Sequence, residues 1–351
     1  MARSLSFLLP GDLNARTGGY GYDREIIAGL RELGWQVDVH SLDASFPFPS
    51  TAALESARVT LAALPDNRLV IVDGLAFGAM PDVAEAEARR LKLVGLVHHP
   101  LELETGLTPA QVDGFANAER RALATTRAVI VTSAATRSTL RDYGVPTGHV
   151  TVVEPGTAAA ALACGSGSSE LSLLCVASLT ARKGHDLLFD ALAGLKDLSW
   201  RLDCIGGAMG DDRVVPRLQD QLGRLGLLER VTFAGDGDDA TVGRAYAAAD
   251  LFVLPTRYEG YGMVVAEALA RGLPVVSTRT GAIAELVGEH AGLIVPPGDA
   301  TALRLALRRF LSDANLRVSL RQGALAVRDR LPRWQDAARK LAAMLEQVKQ
   351  A

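Results

Sequence analysis

Two acids eight residues apart, Glu259 and Glu267, bracket the stretch EGYGMVVAE. Glu259 stands just before a helix expected to begin near Gly262, and Glu267 sits inside it among Val264, Val265, Ala266, Ala268 and Leu269. A helix this apolar is largely buried, and an acid on it needs a partner. Gly260 and Gly262 remove side chains where the free amides of the helix point, so those amides can contact an anion or a hydroxyl. A second loop, LTARKGHD, sets Arg182 and Lys183 ahead of a helix starting near His185. Two cations beside the positive end of a helix suit a phosphate.

Near the amino terminus, PGDLNARTGGYG places Gly18, Gly19 and Gly21 between a strand and a helix, where backbone amides could approach an anion or a sugar hydroxyl. It is not a G-x-x-x-x-G-K-[ST] loop, which argues against an NTPase. His98 and His99 directly follow a strand, where a polar side chain faces ligands. Adjacent histidines point apart and have no carboxylate at helical spacing, so no metal is expected there. The triplet in Asp236-Gly237-Asp238-Asp239 is read as the cap of the next helix. The stretch Gly206-Gly207-Ala208-Met209-Gly210 is only a degenerate dinucleotide fingerprint.

Positioning these loops requires strands that end at them. Candidate strands are Leu5–Leu9, Gln36–Ser41, Leu69–Val72, Leu93–Val97, Ala128–Thr132 and Val150–Val153, alternating with amphipathic stretches such as Tyr20–Leu33, Thr51–Leu64 and Pro109–Ala124. After the small-residue segment Thr157–Glu170 a second series follows: Leu171–Val176, Arg201–Ile205, Val231–Ala234, Leu251–Leu254, Pro274–Ser277 and Leu293–Val295. Such alternation predicts α/β architecture with parallel sheets. The expected division is a domain over 1–156, a linker over 157–170, a second domain over 171–331, and a last helix over 332–351 that crosses back to the first domain.

Composition bounds the reading. The 351 residues suit two domains, and 48% hydrophobic with 22% charged residues suits a folded protein. A net charge of −3 gives no global footprint for nucleic acid. Cys164, Cys175 and Cys204 form no metal or disulfide pattern and read as small buried apolar residues of a reducing, cytoplasmic compartment. No apolar window reaches membrane-spanning length, and MARSLSFLLP is short for a signal peptide. The arginine-rich tail is read as a solvated helical face in preference to a contact with anionic lipid.

As a set, VASLTARKG, RLDCIGG, RVTFAG, PTRYEGYG, EGYGMVVAE, GLPVVSTRTGAIAELV and GLIVPPGD resemble the retaining glycosyltransferases of family four, across nearly all of residues 171–310. In the first half, TGGYGYDREIIAGLRELGWQVDVHSL and the histidine loop are similar to the same family. The resemblance implies the GT-B fold, two facing Rossmann-like domains with parallel sheets and a cleft. It implies that Glu267 holds ribose hydroxyls of a nucleotide sugar and Glu259 the sugar ring. The amides of Tyr261, Gly262, Met263 and Val264 would contact sugar and diphosphate, and Lys183 the diphosphate. The loop at Gly206 and the segment Val231–Phe233 would flank the base. Gly18 and Gly19 would border donor phosphate and acceptor, and His99, or else His98, would contact the transferred sugar.

One departure stands out: Ser178 occupies the place where the family commonly has arginine, and Arg182 is the candidate replacement cation. The resemblance further implies metal-free retaining transfer from a UDP- or GDP-sugar, with no cofactor, to a small-molecule, glycan or lipid acceptor. Competing readings are another GT-B activity (epimerase or phosphorylase), a nucleotide-sugar-binding protein without turnover, and a dinucleotide oxidoreductase.

Overall fold

The computed structural model describes residues 3–208 and 211–350, so Met209 and Gly210 of the glycine-rich loop after Ile205 lie outside the described residues. Short runs with consecutive apolar residues become inner strands buried on both faces, as parallel sheets covered by helices require, while the edge strands are partly exposed. In chain order these are β1 (Ser4–Pro10), β2 (Gln36–Leu42), β3 (Leu69–Asp73), β4 (Lys92–Val97), β5 (Ala128–Val131) and β6 (Val150–Val152). Then come β7 (Leu171–Val176), β8 (Trp200–Ile205), β9 (Val231–Phe233), β10 (Leu251–Leu254), β11 (Val275–Thr278) and β12 (Gly292–Val295).

The chain divides into two compact units, Met1–Gly156 with Pro332–Ala351, and Thr157–Leu331. In the first unit the sheet order is β2-β1-β3-β4-β5-β6, and every pairing is parallel. The direction of winding reverses between β1 and β3. Loops leaving the sheet there diverge, which opens a crevice at the strands' carboxyl ends. The last helix, Trp334–Gln350, packs against Gly18–Glu32, the helix that follows β1. Gly29 and Ala338 make the close approach: a Cβ on Gly29 would stand 2.5 Å from that of Ala338. Trp334 meets the ring of Tyr22 edge-on at 5.8 Å, and the Tyr22 hydroxyl donates to the Val153 carbonyl at 3.0 Å. The helix carrying Gly18 and Gly19 is thereby held from both ends of the chain.

In the second unit the order is β12-β11-β10-β7-β8-β9, again parallel throughout, with the reversal between β7 and β10. Its core joins both sheet faces through Trp200, Phe189, Tyr246, Phe252 and Phe310. Segment 157–170 has no regular element, but it is not a free tether. Ala163 and Cys164 donate to the carbonyls of Arg271 and Ala247, and Ser166 donates to Asp250. The side chains of Arg321 and Arg328 bond the carbonyls of Ala163 and Ala160. These arginines, with Arg317 on the carbonyls of Phe310 and Leu311, tie part of the basic tail to backbone, while Arg304, Arg309, Arg330 and Arg333 are exposed, as a solvated face requires. Small residues let this strand-free segment lie flat on the unit, and guanidinium groups satisfy its carbonyls. A second correction concerns the cysteines: Cys175 and Cys204 are buried, whereas Cys164 is exposed. No described helix is long and apolar enough to cross a membrane.

Candidate functional site

The loops leaving β7 and β10 flank the reversal in the second unit, and they carry the cations and the first acid. Arg182 and Lys183 lie in a 3-10 turn, Ala181–Lys183, that leads into the helix His185–Ala193. Lys183 Nζ donates to Glu259 Oε2, and Arg182 Nη1 lies 3.7 Å from the same oxygen while donating to the Tyr258 carbonyl at 3.0 Å. All three side chains are 12–15% exposed, so the charges are little screened by water. Backbone bonds join the loops: Arg257 N donates to the Arg182 carbonyl at 2.7 Å, as does the Thr256 hydroxyl at 3.0 Å.

Beyond Glu259 the chain turns into the helix Met263–Ala270 through Gly262, whose φ of 94° is left-handed and disfavours any residue with a Cβ. No side chain caps this helix, so its first amides remain available for a ligand. Gly281, with φ of 53°, packs so closely on this loop that a Cβ would fall 1.6 Å from the Glu259 carbonyl oxygen. Its part in shaping the loop was not read from TRTGAIAELV, because that contact joins residues far apart in sequence.

Glu267 lies one to two turns into the same helix. Burial raises its pKa, opposed by the charge of Arg271 and a 3.3 Å hydrogen bond from the Tyr246 hydroxyl. The half-buried acid thus has the partner its surroundings demand. Tyr261 is buried against Ala266 and Ala282, leaving its amide as the group able to meet a ligand, and Met263 and Val264 open the helix. Ser178 follows β7 and accepts from the Thr180 amide at 2.8 Å through its carbonyl. Gly206 follows β8 and donates to the Gly235 carbonyl at 2.8 Å. Of the residues expected to flank a base, Val231 is part of the hydrophobic core and Phe233 packs edge-on against Phe189 at 6.0 Å. Their side chains serve packing. Asp238 caps the helix Asp239–Ala248 by accepting from the Thr241 amide at 2.8 Å.

The first unit gathers a different set at its reversal. Thr17 caps the helix Gly18–Glu32 by accepting from the Tyr20 amide, and Gly19 brings this helix onto His98, with a would-be Cβ 3.5 Å from the imidazole edge. His98 Nε2 lies 3.4 Å from Asp23 Oδ1 and 3.3 Å from Asp73 Oδ2. Both aspartates are buried, and neither oxygen of Asp23 has a well-aligned hydrogen bond. Burial works against charge on His98, yet bonding to and charge from Asp23 and Asp73 outweigh it and raise its pKa; burial raises Asp23 as well. Two acids beside one imidazole favour its protonated form. Among the described residues, Asp23, Asp73 and His98 are also the one group whose ligand atoms, all within 4.8 Å of one another, could hold a metal ion. His99 points elsewhere, its Nε2 3.4 Å from Glu104 Oε2. The structure therefore draws His98, not His99, into the cluster with Gly19. It adds Asp23 and Asp73, which no sequence spacing had linked to it.

Two doubly wound parallel α/β units, one carrying paired acids at a glycine-opened helix start, define the GT-B class of glycosyltransferase. The family model described as "Glycosyltransferase Family 4" matches residues 22–160, and that described as "Glycosyl transferases group 1" matches residues 165–326. The chain belongs to the family-four glycosyltransferases. It is 32% identical over 180 residues to the lipopolysaccharide core biosynthesis mannosyltransferase LpsB of Rhizobium meliloti, a match covering 50% of this chain and 51% of that one. It is 30% identical over 227 residues to a mannosylfructose-phosphate synthase of Agrobacterium fabrum, covering 59% of this chain and 50% of the relative. The chain thus spans about half the length of these curated relatives. Among solved structures, sucrose-phosphate synthase from Thermosynechococcus elongatus superposes with a TM-score of 0.81 at 22% identity, covering 98% of this chain and 99% of that chain. At such identity the likeness shows the fold.

Proposed function

We propose that the protein transfers a sugar, with retention of configuration, from a nucleotide-diphosphate sugar to a hydroxyl acceptor, without a metal. The observation that carries this reading is the convergence of Lys183 and Arg182 on Glu259 beside the uncapped helix start at Gly262. A departing diphosphate needs fixed positive charge, and two cations with free amides supply it where water is scarce. A donor would take over Lys183 and Arg182 through its diphosphate and leave Glu259 to the sugar hydroxyls. Glu267, held by Tyr246, is assigned to the ribose. Arg182 is assigned the charge that Ser178 lacks.

In the step itself, the bond from the anomeric carbon to the diphosphate oxygen breaks. A bond from the acceptor oxygen forms on the same face, and the acceptor's proton passes to the leaving diphosphate. The transition state resembles an oxocarbenium ion, as in other glycosyl reactions. In the first unit, Gly18, Gly19 and the histidine loop are assigned to sugar and acceptor recognition. A UDP- or GDP-sugar is the favoured donor. An Anabaena relative of the same fold was solved in complex with UDP and glucose, covering 97% of this chain at a TM-score of 0.76 and 19% identity.

The test is thermal unfolding with UDP, GDP, ADP and their sugars, with and without EDTA, followed by a search for transfer products. A nucleotide at about 100 times its Kd adds roughly 2.7 kcal/mol of stability. A selective rise in Tm that survives EDTA supports the donor and the metal-free reading. Strict dependence of turnover on a divalent ion sinks the latter, and no rise with any nucleotide sinks the donor assignment.

A further inference from the structure

Three successive residues after β10, Pro255, Thr256 and Arg257, form the seat on which the turn Ala181–Lys183 rests. Gly184 closes that turn with φ of 73° and lies against Pro255: a Cβ there would stand 2.2 Å from the Pro255 carbonyl oxygen. The Thr256 hydroxyl has one proton for two carbonyls, Tyr258 at 2.7 Å and Arg182 at 3.0 Å, so it cannot hold the turn by itself. Arg257 reaches further. Its backbone amide donates to the Arg182 carbonyl at 2.7 Å, and its Nη1 donates to the Ala181 carbonyl. The same guanidinium grips Asp186 through Nη1 at 3.0 Å and Nη2 at 2.7 Å.

Arg257 therefore bonds the chain on both sides of Lys183, at Ala181 and Arg182 before it and at Asp186 after it. It also stands two residues ahead of Glu259, so a single residue couples the turn of the cations to the loop of the acid. Folding stability is a small part of what this pairing supplies. The Arg257 and Asp186 side chains are 35% and 48% exposed, and ion pairs this open to water contribute little. A forked guanidinium supplies geometry instead, because donors fixed in one plane hold several acceptors at set positions. Its charge also engages Asp186, an acid three residues from Lys183 that would otherwise weaken the hold of this turn on an anion.

We propose that Arg257 is a positioning residue of the transfer reaction, holding the turn so that Lys183 meets the leaving diphosphate. It acts through Lys183 and not on the diphosphate itself. The inference rests on the reading that Lys183 binds the donor's diphosphate, and it adds the residue that sets where Lys183 stands. Preorganised charge is effective only where it is held in place, and a turn of three residues cannot hold a lysine without bonds from outside it.

The test is calorimetric titration of the full chain with UDP, GDP and ADP, combined with hydrogen exchange of the peptide spanning 181–186. The variants are Arg257→Ala, Lys183→Ala and the two together, with Arg257→Gln beside them in case alanine costs stability. Arg257→Ala is expected to keep its Tm within about 2 °C of the parent. It should weaken the preferred diphosphate by about tenfold and quicken exchange in 181–186, while β7 and β10 keep their protection. In the Lys183→Ala background the same change should cost less than about twofold, because the group that it positions is gone. Equal binding by the parent and the Arg257 variants overturns the proposal, as does weaker binding with exchange in 181–186 unchanged. A full tenfold loss in the Lys183→Ala background, about the loss expected in the parent, also overturns it and puts Arg257 on the diphosphate itself. If no diphosphate binds the parent, or Lys183→Ala binds as the parent does, the donor reading at Lys183 falls and takes this proposal with it.

Discussion

Each unit reverses its winding once, between β1 and β3 in the first and between β7 and β10 in the second, and each places ionisable groups at that point. The two places are charged in opposite senses. In the second unit two cations meet one acid. In the first, two buried acids meet one histidine. A surplus of positive charge around a single acid is a place where an anion can exchange for the resident acid. A buried surplus of negative charge is a device for fixing a protonated imidazole, because removing water makes the pairing strong and the unpaired state costly. The same architectural feature thus yields an exchangeable site in one unit and a locked one in the other.

The largest test of this contrast removes the exchangeable charge. If Lys183 stabilises a leaving diphosphate, Lys183→Ala lowers turnover by roughly 10²- to 10³-fold, in line with loss of one preorganised transition-state donor. Arg182→Ala is expected to cost less, about tenfold, because its nitrogen also holds the Tyr258 carbonyl and lies farther from Glu259. Steady-state kinetics with the donor found by thermal shift checks both. Intact turnover in Arg182→Ala would show that nothing replaces the cation missing at Ser178.

The contrast also explains what could be read from the chain. The twelve described strands were visible: inner ones, covered on both faces, are written as continuous apolar runs such as LVIVD and LFVL, and the edge strand QVDVHSL carries β-branched residues in alternation. The exchangeable site was legible for a related reason: LTARKGHD and PTRYEGYG each immediately follow a strand, and adjacent β7 and β10 bring them together. The locked site was half hidden. Asp23 lies on the inner face of a helix, Asp73 is the last residue of β3, and His98 comes after β4. They meet only because the sheet order is β1-β3-β4, a long-range fact that local spacing does not carry. The histidine pair was visible, but choosing between His98 and His99 required knowing which faced Gly19.

Asp23→Asn probes the locked site. Losing one of two acids lowers the His98 pKa, and the imidazole resonances followed by NMR should titrate at a lower pH than in the parent. A histidine raised by native partners adds stability that is whole below its unfolded pKa of about 6.5 and fades as pH climbs through the native value. The parent should therefore lose stability on the alkaline side of neutrality, and the variant should lose less. Identical His98 titration in both proteins would leave Asp73 as the sole partner. Metal analysis of the purified chain, before and after EDTA, separates a proton at this cluster from an ion. A bound divalent ion that raises Tm would replace the imidazolium reading.

A further test lies just beneath the histidine loop. Glu119 is buried, and its Oε2 accepts from the Leu101 amide at 3.1 Å, anchoring the turn that follows His99. Burial pushes its pKa up to about 8, against the pull of that amide bond. The raised value means the native state holds a proton that the unfolded chain releases near pH 4.5. The contribution to stability is thus full below pH 4.5 and declines as pH rises to about 8, by at most about 1.4 kcal/mol per pH unit. Glu119→Gln keeps an acceptor for Leu101 and has no proton to lose. Chemical denaturation from pH 4.5 to 8.5 should show the variant gaining on the parent across that window and running level with it at the acid end. Parallel curves would mean that Glu119 is ionised in both states, and the loop would then rest on a buried carboxylate, as charged as the acids that hold His98.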